Sequence, residues 1–379
     1  MSWLARERAT LERHLPGLDE ALLAISFADR ERPQGGAIDA FRTSGGPGLL
    51  IPVDHLGRGA TAVEAAQVQR AIGSRAPSLA IAANMHQYSI ATFLSFLFRQ
   101  PPTSNDWFLL DAVGSDNLLV ASGFAEGKAG QGIQAPTMSA RPHNGGFVLN
   151  GSKKPCSLAT SMDMLTASIL VPGPAGEELA VALVPADDPG VVRTPFWTNP
   201  ILAGAESDEV TLTDVEVPDD LVFRSGSAAQ SDLDEMQLES TVWFEVLVTA
   251  SYIGVASALV EKVLESGKGT PVEHALLGTE LEAAMAAVEA VARTLMDGPL
   301  DDDAFPRAMF VRYAAQSAIA RSSALAVDLL GGLAFIKDPD VTYLHTAAQA
   351  LALHPPSRSK TAGALAEFMA TGTFATNAL

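Results

Sequence analysis

Lys153-Lys154-Pro155-Cys156-Ser157 is the stretch of this 379-residue chain whose residue types first suggest chemistry. It carries two cations and a hydroxyl into a turn where backbone N–H groups are also free. Such an edge can receive an anionic, hydrogen-bonding cofactor, although the same residues also suit an ordinary solvent-facing hairpin. The seven histidines are scattered. None makes a His-x₃-His or His-carboxylate pair at ligand spacing, so no metal site is expected. Cys156 is the one cysteine, which excludes an internal disulfide or a cysteine zinc cluster and suits a reducing cytoplasm.

The elements that must position this stretch follow from periodicity. Asn150-Gly151 after Phe147-Val148-Leu149 predicts a two-residue hairpin turn, since both residues tolerate positive φ, and Gly145-Gly146 punctuates the other end. Around it, residues 118–124, 137–141, 146–150, 164–171, 178–184, 191–195 and 209–217 read as strands separated by Pro, Gly, Asp and Asn. Before them, apolar residues recur at helical spacing over 3–27, 37–42, 60–73, 76–98 and 105–113, with 49–53 extended before and around Pro52. After them, 238–264, 273–296, 303–330 and 341–354 read as bundle helices, with a turn at Gly331-Gly332. The expected fold is therefore α+β. It comprises an N-terminal helical domain (1–118), a central antiparallel β-sandwich or barrel (119–225) and a C-terminal four-helix bundle (226–379).

Composition narrows the function. Forty-seven per cent hydrophobic residues describe a globular chain with a large core, and a net charge of −19 opposes nucleic acid and anionic membrane surfaces. Charges break up the first fifteen residues, and no unbroken apolar stretch of bilayer length is read. A cytoplasmic, soluble protein is expected.

In order and spacing, several short motifs resemble those of the acyl-CoA dehydrogenase superfamily over nearly the whole chain. They are Gly48-Leu49-Leu50-Ile51-Pro52, Leu56-Gly57-Arg58-Gly59, Ser78-Leu79-Ala80 leading to His86, and Gly123-Phe124-Ala125-Glu126-Gly127. The GGFVLNGSK run from Gly145, Gly204-Ala205-Glu206-Ser207 before the strand 210–217, and Leu330-Gly331-Gly332 complete the set. The resemblance implies a homodimeric or homotetrameric flavoprotein holding FAD or FMN between the β domain and the rear helices. Phe124, Ala125, Ser157, Gly331 and Gly332 are then cofactor positions, and Lys268 between glycines is a candidate phosphate ligand.

Two chemistries compete within that family. A thioester dehydrogenase needs a carboxylate base, yet the loop that usually carries it reads Leu353-His354-Pro355-Pro356-Ser357-Arg358, leaving Glu245 near an alternative position. The His-x-Pro loop is similar to the flavin monooxygenase branch, the dibenzothiophene monooxygenase-like enzymes. These use reduced flavin, which a partner reductase can supply, and O₂ on a small metabolite. By that resemblance Ser157 bonds flavin N5 while His86 and His354 flank the reactive oxygens. Each residue has a plainer role available: His86 as a core histidine, His354 as a helix C-cap, Ser157 as the N-cap of a short helix at Leu158, and Glu245 as a surface or dimer-contact acid.

Three family features are missing. Ala125 replaces a threonine, Pro155 replaces an aromatic, and Ser266-Gly267-Lys268-Gly269-Thr270-Pro271 replaces an Arg-x-x-Phe-Gly segment that reaches cofactor phosphates of a neighbouring subunit. A flavin-free member with a non-redox or binding role is the third reading. Met85, Phe93, Phe96, Trp243 and Phe244 are expected as apolar walls, and the Ala-rich faces of 283–292 and 314–326 as subunit contacts.

Overall fold

The computed structural model of the chain describes residues 3–98, 107–127, 136–173, 176–228 and 235–374. Helices α1 (Ala5–His14), α2 (Leu18–Ala24), α3 (Phe27–Arg30) and α4 (Ala37–Thr43) lead to α5 (Ala62–Arg75), α6 (Pro77–Leu97) and α7 (Trp107–Asp116). Thr61 and Glu64 start α5 with a capping box, each side chain bonding the other's backbone N–H. Pro77 begins α6, which is buried along almost its whole length. The expected extended run at 49–53 is instead a chain of bends between two 3-10 turns, Gly46–Gly48 and Val53–His55. Leu49 takes helical φ and ψ there. The expected helix stop at Pro101-Pro102 lies outside the described residues.

Among the described residues eight strands follow: β1 (Val120–Gly123), β2 (Ala140–His143), β3 (Gly146–Cys156), β4 (Met164–Gly173), β5 (Gly176–Pro185), β6 (Val191–Thr194), β7 (Asp208–Pro218) and β8 (Val222–Ala228). They form two four-stranded sheets, β1-β4-β5-β8 and β2-β3-β7-β6. The second is antiparallel throughout, whereas β1 runs parallel to β4, a departure from the all-antiparallel expectation.

The hairpin is also placed differently. The chain has two Asn-Gly dipeptides, and the first makes the turn: Asn144 (φ 44°) and Gly145 (φ 79°) join β2 to β3, with His143 opposite Gly146. Asn150-Gly151 instead sits inside β3 at a bulge opposite β7, where Asn150 exchanges hydrogen bonds with Asp214. The stretch 153–157 is thus the far end of one long strand.

Helices α8 (Glu235–Ser266), α9 (Pro271–Thr294), α10 (Ala304–Lys337), α11 (Pro339–Ala348) and α12 (Arg358–Thr371) complete the chain, α12 being unforeseen in the sequence. The expected turn at Gly331-Gly332 is a kink within α10, at Gly331 with φ 77° and ψ 169°. Helix α8 is the spine, packing on α5 and α6 in front and on α9, α10 and α11 behind. Its closest approach to α5 needs glycine on both sides. A Cβ at Gly73 would lie 2.3 Å from the Ser251 carbonyl oxygen, and one at Gly254 would lie 2.3 Å from that of Arg70.

Among the described residues, two helices reach the length and mean hydropathy of a bilayer span, although charged residues interrupt both. One is α8 and the other is α10, with 94% and 28% of the most apolar window buried, respectively. The first is a core helix; the second presents an apolar outer face.

Candidate active site

Where the sheets meet α6 and α8, the chain forms a partly open cleft. Helix α6 contributes Met85 and Tyr88, the end of β1 and its continuation contribute Ser122, Phe124 and Ala125, and the end of β3 contributes Pro155 and Ser157. Glu245 and Phe244 come from α8, and His354 from the loop before α12. Most of the wall is apolar. Tyr88 stands edge-on to both Phe124 (5.2 Å) and Phe244 (5.7 Å), which fixes the aromatic side of the cleft.

Several polar side chains face this space, Ser122, Ser157, Ser207, Thr241, Glu245 and His354 among them. Ser157 follows β3 and its hydroxyl hydrogen-bonds that of Ser207 at 2.9 Å; Leu158 takes positive φ and a run of turns follows, so no helix begins there. Ser122, 1% exposed, finds no hydrogen-bond partner for its hydroxyl among the described residues. His354 Nε2 pairs with the Tyr252 hydroxyl at 2.7 Å, and its Nδ1 has no partner among the described residues. Burial and the neighbouring Arg312 guanidinium hold the imidazole neutral, its pKa lowered to about 3, while burial, against the guanidinium's pull, pushes the Tyr252 hydroxyl above its ordinary value.

Glu245 completes the set, but as half of an ion pair. Both its oxygens accept from Arg312 Nη1 at 2.9 Å, with the two residues 2% and 1% exposed. Burial pushes the carboxyl upward against the guanidinium's opposing pull. Arg312 also donates to the carbonyls of Leu351 (3.1 Å), His354 (2.5 Å) and Pro355 (3.2 Å). One arginine in the first third of α10 therefore holds both Glu245 and the loop bearing His354. A second network pins the Leu202 wall. Its N–H donates to the Tyr343 hydroxyl (2.7 Å), which donates to the buried Glu31 (2.5 Å). Burial raises the Glu31 carboxyl to about 7.

The structure brings Phe124, Ala125, Ser157, Glu245 and His354 to one cleft and leaves other expected residues outside it. His86 is the clearest correction. Fully buried, it bonds the Pro47 carbonyl oxygen through Nε2 (2.9 Å) and accepts from the Val120 N–H at Nδ1 (2.9 Å), so neither nitrogen is left for a ligand. Lys268 lies in the α8–α9 turn, where its ammonium donates to the Leu330 carbonyl just before the Gly331 kink of α10, and none of Lys268, Gly331 and Gly332 lines the cleft. The cations that opened the sequence reading are likewise occupied. Lys153 is buried against Glu126 at 2.9 Å and Ser168 at 3.1 Å, and Lys154 pairs with Glu209 at 3.0 Å. Of the expected walls, Met85 and Phe244 line the cleft, Phe93 and Phe96 pack on Phe223, and Trp243 faces a separate groove. Trp197 brings a ring to the cleft where Pro155 lacks one.

The placement of His86 has a measurable consequence. Its pKa is lowered to about 4 because burial disfavours the charged ring. The unfolded chain therefore takes up a proton near pH 6.5 that the folded chain refuses. This contribution is complete above pH 6.5 and declines by about 1.4 kcal/mol per pH unit as pH falls toward 4. Urea unfolding across that window is expected to show His86→Leu with a shallower acid loss. The same variant has a neutral-pH stability lower by about 1–3 kcal/mol, because the Val120 N–H loses its acceptor. Equal acid slopes in the two proteins would refute the assignment.

No family model matches the chain. It is 44% identical over 374 residues to isobutylamine N-hydroxylase of Streptomyces viridifaciens, covering 98% of this chain and 99% of that protein. Among solved structures, the TdsC complex from Paenibacillus sp. A11-2 with FMN and indole superposes with a TM-score of 0.84 at 18% identity, over 98% of both chains. The nitrososynthase of Micromonospora carbonacea var. africana superposes with a TM-score of 0.81 at 20% identity, over 97% of both.

Proposed function

The chain belongs to the flavin-dependent monooxygenase branch of the acyl-CoA dehydrogenase superfamily, and we propose that it N-hydroxylates a small aliphatic primary amine using reduced flavin and O₂. The observation that carries this reading is the polar equipment of the cleft. Neutral donors and acceptors (Ser122, Ser157, His354) face it, while the charge of its carboxylate, Glu245, is compensated by Arg312. A thioester dehydrogenase needs a free carboxylate at that place.

The unpartnered Ser122 hydroxyl in an aromatic wall fits a flat heteroaromatic ring with polar edges, which Ser122 and Ser157 would hold. Bound reduced flavin supplies two electrons and activates O₂, so that one oxygen atom reaches the amine nitrogen and the other leaves as water. The chain's own part is to place, shield and move protons. Tyr88, Phe124 and Phe244 keep water out, and His354, anchored by Tyr252, offers Nδ1 to give or take a proton at the transferring oxygen. The absent Arg-x-x-Phe-Gly segment and the occupied Lys268 favour FMN over the larger FAD, with the reduced cofactor delivered by a separate reductase. Exposed Phe310, Leu333, Phe335 and Ile336 on α10 suit burial against further copies in a cytoplasmic homodimer or homotetramer.

Incubation with isobutylamine, enzymatically reduced FMN and isotopically labelled O₂ is expected to give the hydroxylamine carrying one labelled oxygen atom. Anaerobic bleaching of oxidised flavin by an acyl thioester would replace this reading with the dehydrogenase one. A folded protein that quenches neither FMN nor FAD, oxidised or reduced, would replace it with the flavin-free one.

A further inference from the structure

An amine entering the cleft meets one carboxylate among the described lining residues, and that carboxylate is already compensated. Both Glu245 oxygens face a single guanidinium nitrogen at 2.9 Å, inside the protein, where charge is screened little. An ammonium brought to Glu245 would place a second cation beside Arg312 with no second anion to balance it. The other charged or titratable groups facing the pair are Tyr252 from α8, Tyr313 from α10, Tyr88 from α6 and His354 from the loop. Ser157 and Ser207 face it from the β side. None of these is an anion at neutral pH.

We propose that the cleft takes its amine as the neutral free base, the Glu245–Arg312 pair admitting an N–H donor and excluding the ammonium form. This rests on the amine reading above. It also serves the chemistry, because a nitrogen must keep its lone pair to accept an oxygen atom. The carboxylate oxygens keep lone pairs for an amine N–H, and the alkyl part has Met85 and Phe244 beside it. Between about pH 8 and about pH 9 neither His354, held neutral down to about 3, nor Tyr252, pushed upward, changes charge, and Glu31 behind the Leu202 wall, raised to about 7, is already ionised. The pH dependence of binding in that window then belongs to the substrate.

The test is calorimetric titration of isobutylamine into protein saturated with FMN, near pH 8, in buffers of differing ionisation enthalpy. Release of about one proton per amine bound is expected, with affinity rising roughly tenfold per pH unit below the amine's own pKa. Glu245→Gln, which removes the negative charge and keeps the shape, is expected to bind with the same proton release. Binding without release to buffer would overturn the proposal, whether the ammonium is bound intact or Glu245 takes its proton. Loss of all amine binding in a folded Glu245→Gln protein would also overturn it. Failure of folded wild-type protein to bind any small amine would instead remove the amine reading itself.

Discussion

Arg312→Met lowers folding stability by about 3–5 kcal/mol and abolishes hydroxylation, if the buried arginine does what its contacts indicate. The substitution strands Glu245 as an unpaired buried charge and releases the carbonyls of Leu351, His354 and Pro355 together. Adding Glu245→Met should recover much of the stability, since removing both charges removes the stranded one. Activity should not return, because the loop that aims His354 is still untied. Chemical denaturation of the single and double variants separates the two effects. A single variant as stable as the wild type would mean that the pair is not the clamp described here.

The second large effect concerns the two polar groups at the reacting end. His354→Ala and Ser157→Ala should each lower the hydroxylamine yield by roughly 10²–10³-fold, the range for losing one well-placed donor in a water-poor site. Oxidation of reduced flavin should continue in both, with the consumed O₂ appearing as hydrogen peroxide. Separate assays of hydroxylamine and peroxide show this split. A parallel fall in both would point to lost flavin binding. His86→Leu, by contrast, should leave the ratio of product to peroxide unchanged, because its ring is bonded only to backbone on both sides.

Those contrasts explain what the sequence could reveal. The order of helices, strands and helices is legible because periodicity of 3.6 or 2 is local, and the short motifs point to Ser157 and His354, which line one cleft. The place of His86 is not legible in the sequence because its partners are a carbonyl at Pro47 and an N–H at Val120, and backbone groups carry no residue signature. Arg312 was overlooked because a single arginine in an apolar helix looks like a surface residue until its partner, 67 positions earlier, is known. Its setting in Met309-Phe310-Val311-Arg312-Tyr313-Ala314-Ala315 was a signal, since a lone cation amid apolar residues needs a buried anion or a wet face. Ser122 and Tyr88 offered no such signal. The two Asn-Gly dipeptides are equal as turn formers, and pairing with Asp214 rather than local preference made the second a bulge.

The central claim is that a flavin ring lodges in the cleft between the sheets and α8, with Ser157 on one side and the His354 loop on the other. A crystal structure of the protein with reduced FMN, grown without oxygen, measures this directly. The expected map has the ring in the cleft, its polar edge within hydrogen-bond distance of the Ser157 and Ser122 hydroxyls. FMN bound elsewhere while the cleft remains closed by protein side chains would contradict it.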